Sequence, residues 1–399
     1  MPEIITDTQG KLLAKTWCPV AEIEESAMEQ IKALSGYPFL YKWAAIMPDC
    51  HAGIGATIGS VIPTEEVVIP SAVGVDIGCG MRAIKTSLTA SEVEPLIDVL
   101  RDKITARIPL GYKHRDKQDH TAKTAIIGRD SNFWDTMIDR QQQEYPDKDI
   151  PSQLGTLGGG NHFIELQKDA AGNVWIMVHS GSRNIGHTIA KRYISAAADF
   201  AKRYRLPIPH GLEFLREDSS LGRGYIRDMK WALDFARWNR FVLLYAIKEE
   251  LQAVFPFRGV LTPTPDIDIH HNYVAKEHHF GRNVWVHRKG ATKVLQNTLG
   301  IIPGAMGRPS YIVKGKGNAD SYMSCSHGAG RVLGRKQAKR TLSMEDFQCQ
   351  MGSVSCAQVN EDHLDEAPEA YKDIDTVMSN QTDLVEIVEK LNPILVIKG

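Results

Sequence analysis

Apolar and polar positions repeat along this chain in two periods, and the two are interleaved from end to end. Ile23, Ala27, Ile31 and Leu34 recur at helical spacing, which predicts an amphipathic helix over Val20–Ser35 ended by Gly36. Helical patterning returns over Ser91–Ile108, with Ser91 as the expected N-cap, and more weakly over Trp134–Tyr145. It also covers Thr188–Tyr204, the longer Asp228–Phe255 and a final helix over Ser379–Leu391. Between these stand short apolar runs of strand type: Trp43–Pro48, Val67–Val75 (broken at Pro70 and Ser71), Val174–His179, Val284–His287, Tyr311–Lys314 and Ile394–Ile397. His114–Lys123 reads as a mobile polar loop. No fixed-period repeat, low-complexity tract or Pro/Ser-rich linker divides the sequence. The expectation is a mixed α/β (α+β) fold in one intertwined domain spanning 1–399.

At 399 residues the chain is long enough to bury roughly 75% of its unfolded surface. A formal net charge of −1 removes any case for nucleic-acid binding from overall charge, but the local distribution is uneven. From Arg282 to Arg340 twelve cations face one acid, Asp320; from Thr341 to Gly399 twelve acids face three cations. The basic segment would attract a polyanion, or the two segments pair with each other. Six cysteines without a CxxC pair argue against a disulfide framework or a zinc ribbon and for a reducing compartment. With no signal-type apolar segment at the N-terminus and no run near the ~18 residues of a spanning helix, the expectation is a cytoplasmic protein with no membrane partner.

Chemistry-bearing residues gather in Gly-flanked turns. Gly74–Met81 places Asp76 and Cys79 three apart on a loop that glycine lets fold tightly. Gly155–Glu165 sets four glycines before Asn161 and His162. Such a loop can cradle phosphate oxygens, although no Gly-Lys-Ser/Thr closes it as a Walker A loop. His179 ends a buried run, with Arg183 on the turn beyond it, suited to bidentate phosphate contact. His270 and His271 are adjacent on an extended segment, so only one should enter a given site. His327 lies between Ser and Gly residues ahead of a basic helix, and no Gly-x-Ser-x-Gly elbow supports a serine hydrolase. Each signal alone fits a structural role as well. Together, the Asp/Cys/His set suits zinc, manganese or iron better than magnesium or calcium.

At these residues the chain resembles the RtcB family of RNA-splicing ligases. The motifs are MPDCHAGIGATIGSVIP (Met47–Pro63), AVGVDIGCGM (Ala72–Met81), LGTLGGGNHFIE (Leu154–Glu165), HSGSRNIG (His179–Gly186), HHNYV (His270–Val274), GIIPGAMG (Gly300–Gly307), SCSHGAGR (Ser324–Arg331) and AYKDID (Ala370–Asp375). The resemblance implies a domain with a central two-metal cleft. It implies joining of RNA ending in a 2′,3′-cyclic phosphate or 3′-phosphate to RNA with a 5′-hydroxyl, using GTP and two Mn²⁺ ions. By matching positions, Asp76, Cys79 and His162 would hold one ion and Cys79, His179 and His271 the second, with Cys79 bridging. His327 would take GMP covalently. Asn161, His162, Phe163, Ile164, Glu165, His271, Asn272, Pro303, Gly304, Ala305, Met306, Ser310, Gly328, Ala329, Gly330, Tyr371 and Lys398 would surround the nucleotide, and Arg183 would hold an RNA end phosphate. An archease-like activator is the protein partner the resemblance suggests.

The chain departs from the usual pattern at Ile54, where the family commonly has Lys, and in the stretches His114–Lys123 and Cys349–Asp362. Two other readings compete with ligation: a two-metal phosphohydrolase acting on cyclic phosphates, and an RNA-binding protein that keeps only the fold. Label transferred from GTP to His327 would distinguish the ligase from the phosphohydrolase.

Overall fold

A computed structural model describes residues 1–259, 261–356 and 359–399. Two sheets dominate. The smaller has six strands in the order Glu3–Thr6, Leu12–Thr16, Ala44–His51, Ile58–Thr64, Arg282–Lys289 and Asn272–His279. The larger runs Leu261–His270, Gly80–Thr89, Asn173–Ser180, Phe163–Lys168, Val385–Lys398, Ser310–Gly315 and Leu299–Ile302, with Ser355–Cys356 added in parallel beside Val385–Lys398. Nearly every other pairing is antiparallel, and Asn173–Ser180, central in its sheet, is buried along almost its whole length. The continuous apolar run VWIMV is the sequence form of such a doubly covered strand.

The Ser220–Val254 helix backs the larger sheet. Its inner face carries Tyr225, Met229, Phe235, Leu243 and Ile247, all fully buried. In its middle Arg240 is also fully buried: its Nε donates to Asp268 at 2.8 Å, and Nη1 donates to the carbonyls of Gly78 and Ser180, each at 3.1 Å. A buried guanidinium persists only when all its donors are satisfied. Here it ties the helix to the loop that carries Asp76 and Cys79. No helix of the described residues is long and apolar enough to cross a membrane.

Several elements differ from the sequence reading. The helix expected over Ser379–Leu391 is a strand: a short helix, Ile374–Ser379, is followed by Val385–Lys398 as one long strand. Leu384, Ile387, Val388 and Leu391 do fall at helical spacing. Their β-branched neighbours instead find hydrogen-bonding partners in Ser310–Gly315 and Phe163–Lys168, and tertiary pairing overrides the local pattern. Thr89, not Ser91, caps the next helix, through a capping box with Glu92. Pro95 then breaks that helix into Ala90–Val93 and Ile97–Arg107. The first predicted helix shrinks to Glu25–Lys32, and the weak one extends to Thr121–Glu144 with a kink at Asp130. The polar loop before it is anchored by Arg115, 4% exposed, which donates to the carbonyls of Leu154 and Gly155.

Candidate active site

Strand register brings the site together. Gly80 pairs with Ser180 and with His270, Met81 with His179, and Phe163 also with His179. Four adjacent strands therefore deliver Cys79, His162, His179 and His271 to one end of the larger sheet. The Gly74–Met81 loop turns at Gly78 (φ +75°), where a β-carbon would press to 3.0 Å from Ala236. Gly158 (φ +99°) serves the opposite wall: a β-carbon there would overlap His162 Nδ1 and Arg183 Nη1.

The side chains form a row. His162 Nε2 lies 3.2 Å from Asp76 Oδ2 and 3.3 Å from Cys79 Sγ. Cys79 Sγ is 3.2 Å from His179 Nε2, which is 3.4 Å from His271 Nε2. The ring of His271 then stands 4.9 Å from that of His327. The adjacent histidines part company: His271 joins the row, while His270 sits against the Gly78 carbonyl at 3.1 Å, behind it.

This donor set fits a metal ion. The ligand atoms of Cys79, His162 and His179 all lie within 4.8 Å of one another. His179 Nδ1–H donates to the Asn161 carbonyl at 3.1 Å, so its Nε2 presents a lone pair to the row. Burial, together with the neighbouring histidines, pushes the pKa of both His179 and His271 well below the usual imidazole range, leaving them neutral. Two lone-pair nitrogens and a sulfur facing one another in a buried space repel unless a cation lies between them. Burial and the adjacent Asp76 raise the Cys79 thiol well above its usual value in the absence of a cation, and a bound ion reverses that preference. For Asp76 burial acts upward, but the hydrogen bond and charge of His162 outweigh it and hold the carboxyl below its ordinary value.

His327 closes the row and lines a cavity of about 200 Å³. Its Nδ1 is 2.6 Å from Asp49 Oδ2, which also accepts the backbone N–H groups of His327 (3.0 Å) and Gly328 (3.2 Å). The cavity is lined by Asn161, Phe163, Glu165, Pro303, Gly304, Ala305, Met306, Gly328, Ala329, Gly330, Tyr371 and Lys398, all expected from sequence. Burial raises the Glu165 carboxyl to about 8. Lys398 Nζ donates to Glu366 at 2.8 Å, and Glu366 also accepts from Tyr371 OH (2.7 Å) and pairs with Arg335.

Other residues expected around the nucleotide stand outside the cavity lining: His162 and His271 belong to the donor row, and Ile164, Ser310 and Asn272 lie behind the wall. Ile164 alternates away from Phe163 and Glu165 into the apolar core behind the sheet, so its side chain is not at the cavity. Ser310 lies behind the wall, its Oγ accepting from Gln167 and from the Gly304 N–H, which steadies the Pro303–Met306 loop. Asn272 braces the metal loop: its Nδ2 donates to the Asp76 carbonyl and its Oδ1 accepts from Gly290. Arg183 is anchored, Nε to Thr156 Oγ1 at 3.0 Å and Nη2 to the Gly111 carbonyl at 2.9 Å.

Asp49, His51 and Glu366 were not singled out from the sequence. Asp49 and His51 sit in the Met47–Pro63 motif, so the motif itself was their signal. Glu366 gave none beyond the charge count of the acidic tail. That tail does pair with the basic segment: Arg331, Arg335 and Lys339 meet Asp365 and Glu366, and Lys314 meets Glu386. Much of the apparent polyanion-binding charge is therefore internally neutralised.

Comparison with known proteins agrees with this geometry. The profile of the family described as "tRNA-splicing ligase RtcB" matches residues 30–399. RNA-splicing ligase RtcB1 of Escherichia coli is 41% identical over 397 residues, covering 96% of this chain and 97% of the relative. RNA-splicing ligase RtcB of Escherichia coli strain K12 is 40% identical with the same coverage. The tRNA-splicing ligase RtcB of Methanococcus maripaludis is 31% identical over 447 residues, covering 94% of this chain and 92% of the relative. With a cysteine–histidine cluster able to hold a metal ion beside a cavity that His327 lines, and with matches of this extent, the chain belongs to the RtcB family.

Proposed function

We propose that this chain is an RNA ligase that uses GTP and manganese to join RNA ending in a 2′,3′-cyclic phosphate or 3′-phosphate to RNA with a 5′-hydroxyl. The observation that carries this reading is the position of His327, which stands beside His271 of the donor row, lines the cavity and has Nδ1 held by Asp49. That hydrogen bond keeps the proton on Nδ1 and leaves the Nε2 lone pair free to attack the α-phosphorus of GTP. A nitrogen–phosphorus bond forms, the bond to pyrophosphate breaks, and the Asp49 carboxylate stabilises the positive ring that results. A 2′,3′-cyclic phosphate end is first opened by water to a 3′-phosphate; the guanylate then passes to that phosphate as its bond to His327 breaks, and attack by the 5′-hydroxyl expels GMP and seals the strand.

The remaining roles follow position. Glu165, whose carboxyl burial raises to about 8, lines the cavity; on meeting a base edge rich in N–H donors it would release its proton to solvent and accept their hydrogen bonds as a carboxylate. Asp76, Cys79 and His162 would hold one manganese ion and Cys79, His179 and His271 a second; bound there, manganese would neutralise phosphate charge and polarise phosphorus. Donors from position 76 to 271, the nucleophile at 327 and Lys398 on the last strand make the whole chain, 1–399, one ligase unit. Six free cysteines, one of them a metal ligand, suit a reducing cytoplasm. An archease-like activator belongs to the same reading and would raise turnover when added.

Incubation with α-labelled GTP and Mn²⁺ should leave label covalently on the protein and none on the His327→Ala variant. Opening of cyclic phosphate ends without any label on the wild type would instead favour the phosphohydrolase and sink this reading.

A further inference from the structure

We infer that Asn239 is a positioning residue for the metal donors: from the middle of the Ser220–Val254 helix, with Arg240 beside it, it sets the spacing of His162, His179 and Cys79 before an ion arrives. This rests on the metal-site reading and adds a residue that touches neither ion nor substrate.

Asn239 stands four residues before Leu243 and eight before Ile247, on one buried stripe of the helix. All three are fully buried, so an amide interrupts an apolar face. Its Oδ1 accepts the backbone N–H groups of Gly155 (2.7 Å) and Thr156 (3.3 Å). Its Nδ2 donates toward the Thr156 carbonyl (3.1 Å), Ser180 Oγ (2.9 Å) and the Gly181 carbonyl (3.2 Å). A backbone N–H only donates and a carbonyl only accepts, so the amide has one orientation, and both its acceptor and donor sides are used. Ser180 Oγ in turn donates to the Leu157 carbonyl at 2.7 Å. One side chain thus stitches the loop that leads to His162 to the turn that follows His179. The next residue, Arg240, brings in the third loop through the Gly78 carbonyl, directly before Cys79.

The three donors so tied are the three whose ligand atoms lie within 4.8 Å of one another. Their loops are rich in glycine, which permits tight turns but adds no stiffness. Donor atoms that face one another spread apart when no cation holds them, and then binding must first regather them. A brace behind the loops removes that cost. Groups that orient metal ligands from behind typically set metal affinity by about 10- to 100-fold.

The test titrates the full chain with Mn²⁺ by calorimetry and follows its thermal unfolding in metal-free buffer. Asn239→Ala should weaken Mn²⁺ binding about tenfold. Asn239→Asp, of the same size, should weaken it as much, because an oxygen then faces two carbonyls. Ser180→Ala removes only a hydroxyl from the same joint and should weaken binding less. Combined with Asn239→Ala, it should cost less than the product of the two separate effects. Leu251→Ala, a core cavity further along the helix, should lower the melting temperature and leave Mn²⁺ affinity unchanged. With Co²⁺ as the probe, the visible bands, which depend on coordination geometry, should change in the Asn239 variants and not in Leu251→Ala. Wild-type Mn²⁺ affinity in the Asn239 variants and in Ser180→Ala overturns the proposal while the metal-site reading stands. If the wild type binds no Mn²⁺, that reading fails and the proposal falls with it.

Discussion

Asp49 Oδ2 and His327 Nδ1 are 2.6 Å apart, and the same oxygen accepts two backbone N–H groups from His327 and Gly328. One carboxylate thus fixes both the tautomer of the ring and the backbone that carries it. Asp49→Ala should slow single-turnover labelling by about 10³- to 10⁴-fold, because the ring loses its tautomer and its counter-charge together. Asp49→Asn, which still offers an oxygen, should fall less. Equal rates for Asp49→Ala and the wild type would remove Asp49 from the chemistry.

Of the paired histidines, only His271 faces the donor row. Manganese bound per chain, measured by calorimetry, should drop for His271→Ala and stay at the wild-type number for His270→Ala. The latter should lose about 1 kcal/mol of stability with the hydrogen bond to Gly78. Cys79→Ala should lose more metal than either, since its sulfur touches both His162 and His179.

Gly158 tests the wall of the site. A β-carbon there meets His162 and Arg183 at once, on backbone with φ +99° that disfavours any side chain. Gly158→Ala should therefore reduce metal binding, read by the same calorimetry, although residue 158 itself donates no ligand.

Glu165 predicts a pH dependence. Its carboxyl titrates at about 8 in the folded chain against an ordinary value of 4.5, chiefly through burial. The folded state therefore holds a proton that the unfolded state has released between those values, so this group's contribution to stability falls as pH rises from about 4.5 to 8. The shift corresponds to at most about 5 kcal/mol. The melting temperature of Glu165→Gln relative to the wild type, both free of nucleotide, should rise progressively across that window. A constant difference from pH 5 to 8 would contradict the assignment.

Glu366 gathers Lys398, Tyr371 and Arg335 in a space where Glu366 is 3% and Lys398 2% exposed. Glu366→Gln leaves a buried ammonium without its counter-charge and should cost about 3 kcal/mol in denaturant unfolding. Glu366→Gln combined with Lys398→Met should recover part of that loss, whereas no recovery would mean the pair is not the source.

The sequence by itself determined the mixed fold class, the buried strand at Val174–His179, the long helix, and the motifs that carry Asp76, Cys79, His162, His179, His271 and His327. Those signals are local: apolar period, glycine at tight turns, and donor residues beside them. It also required that one histidine of the adjacent pair turn away, because side chains alternate along extended backbone. The tertiary structure alone decided which strands are neighbours. Register between Gly80, His179, Phe163 and His270 gathers the donors, and pairing with Ser310–Gly315 and Phe163–Lys168 made a strand of Val385–Lys398, where the local pattern was helical. The roles of Asp49 and Glu366 were likewise decided there, since each acts through partners hundreds or tens of residues away. Strand-pairing energy and buried charge depend on what lies across space, and a pattern along the chain holds no record of it.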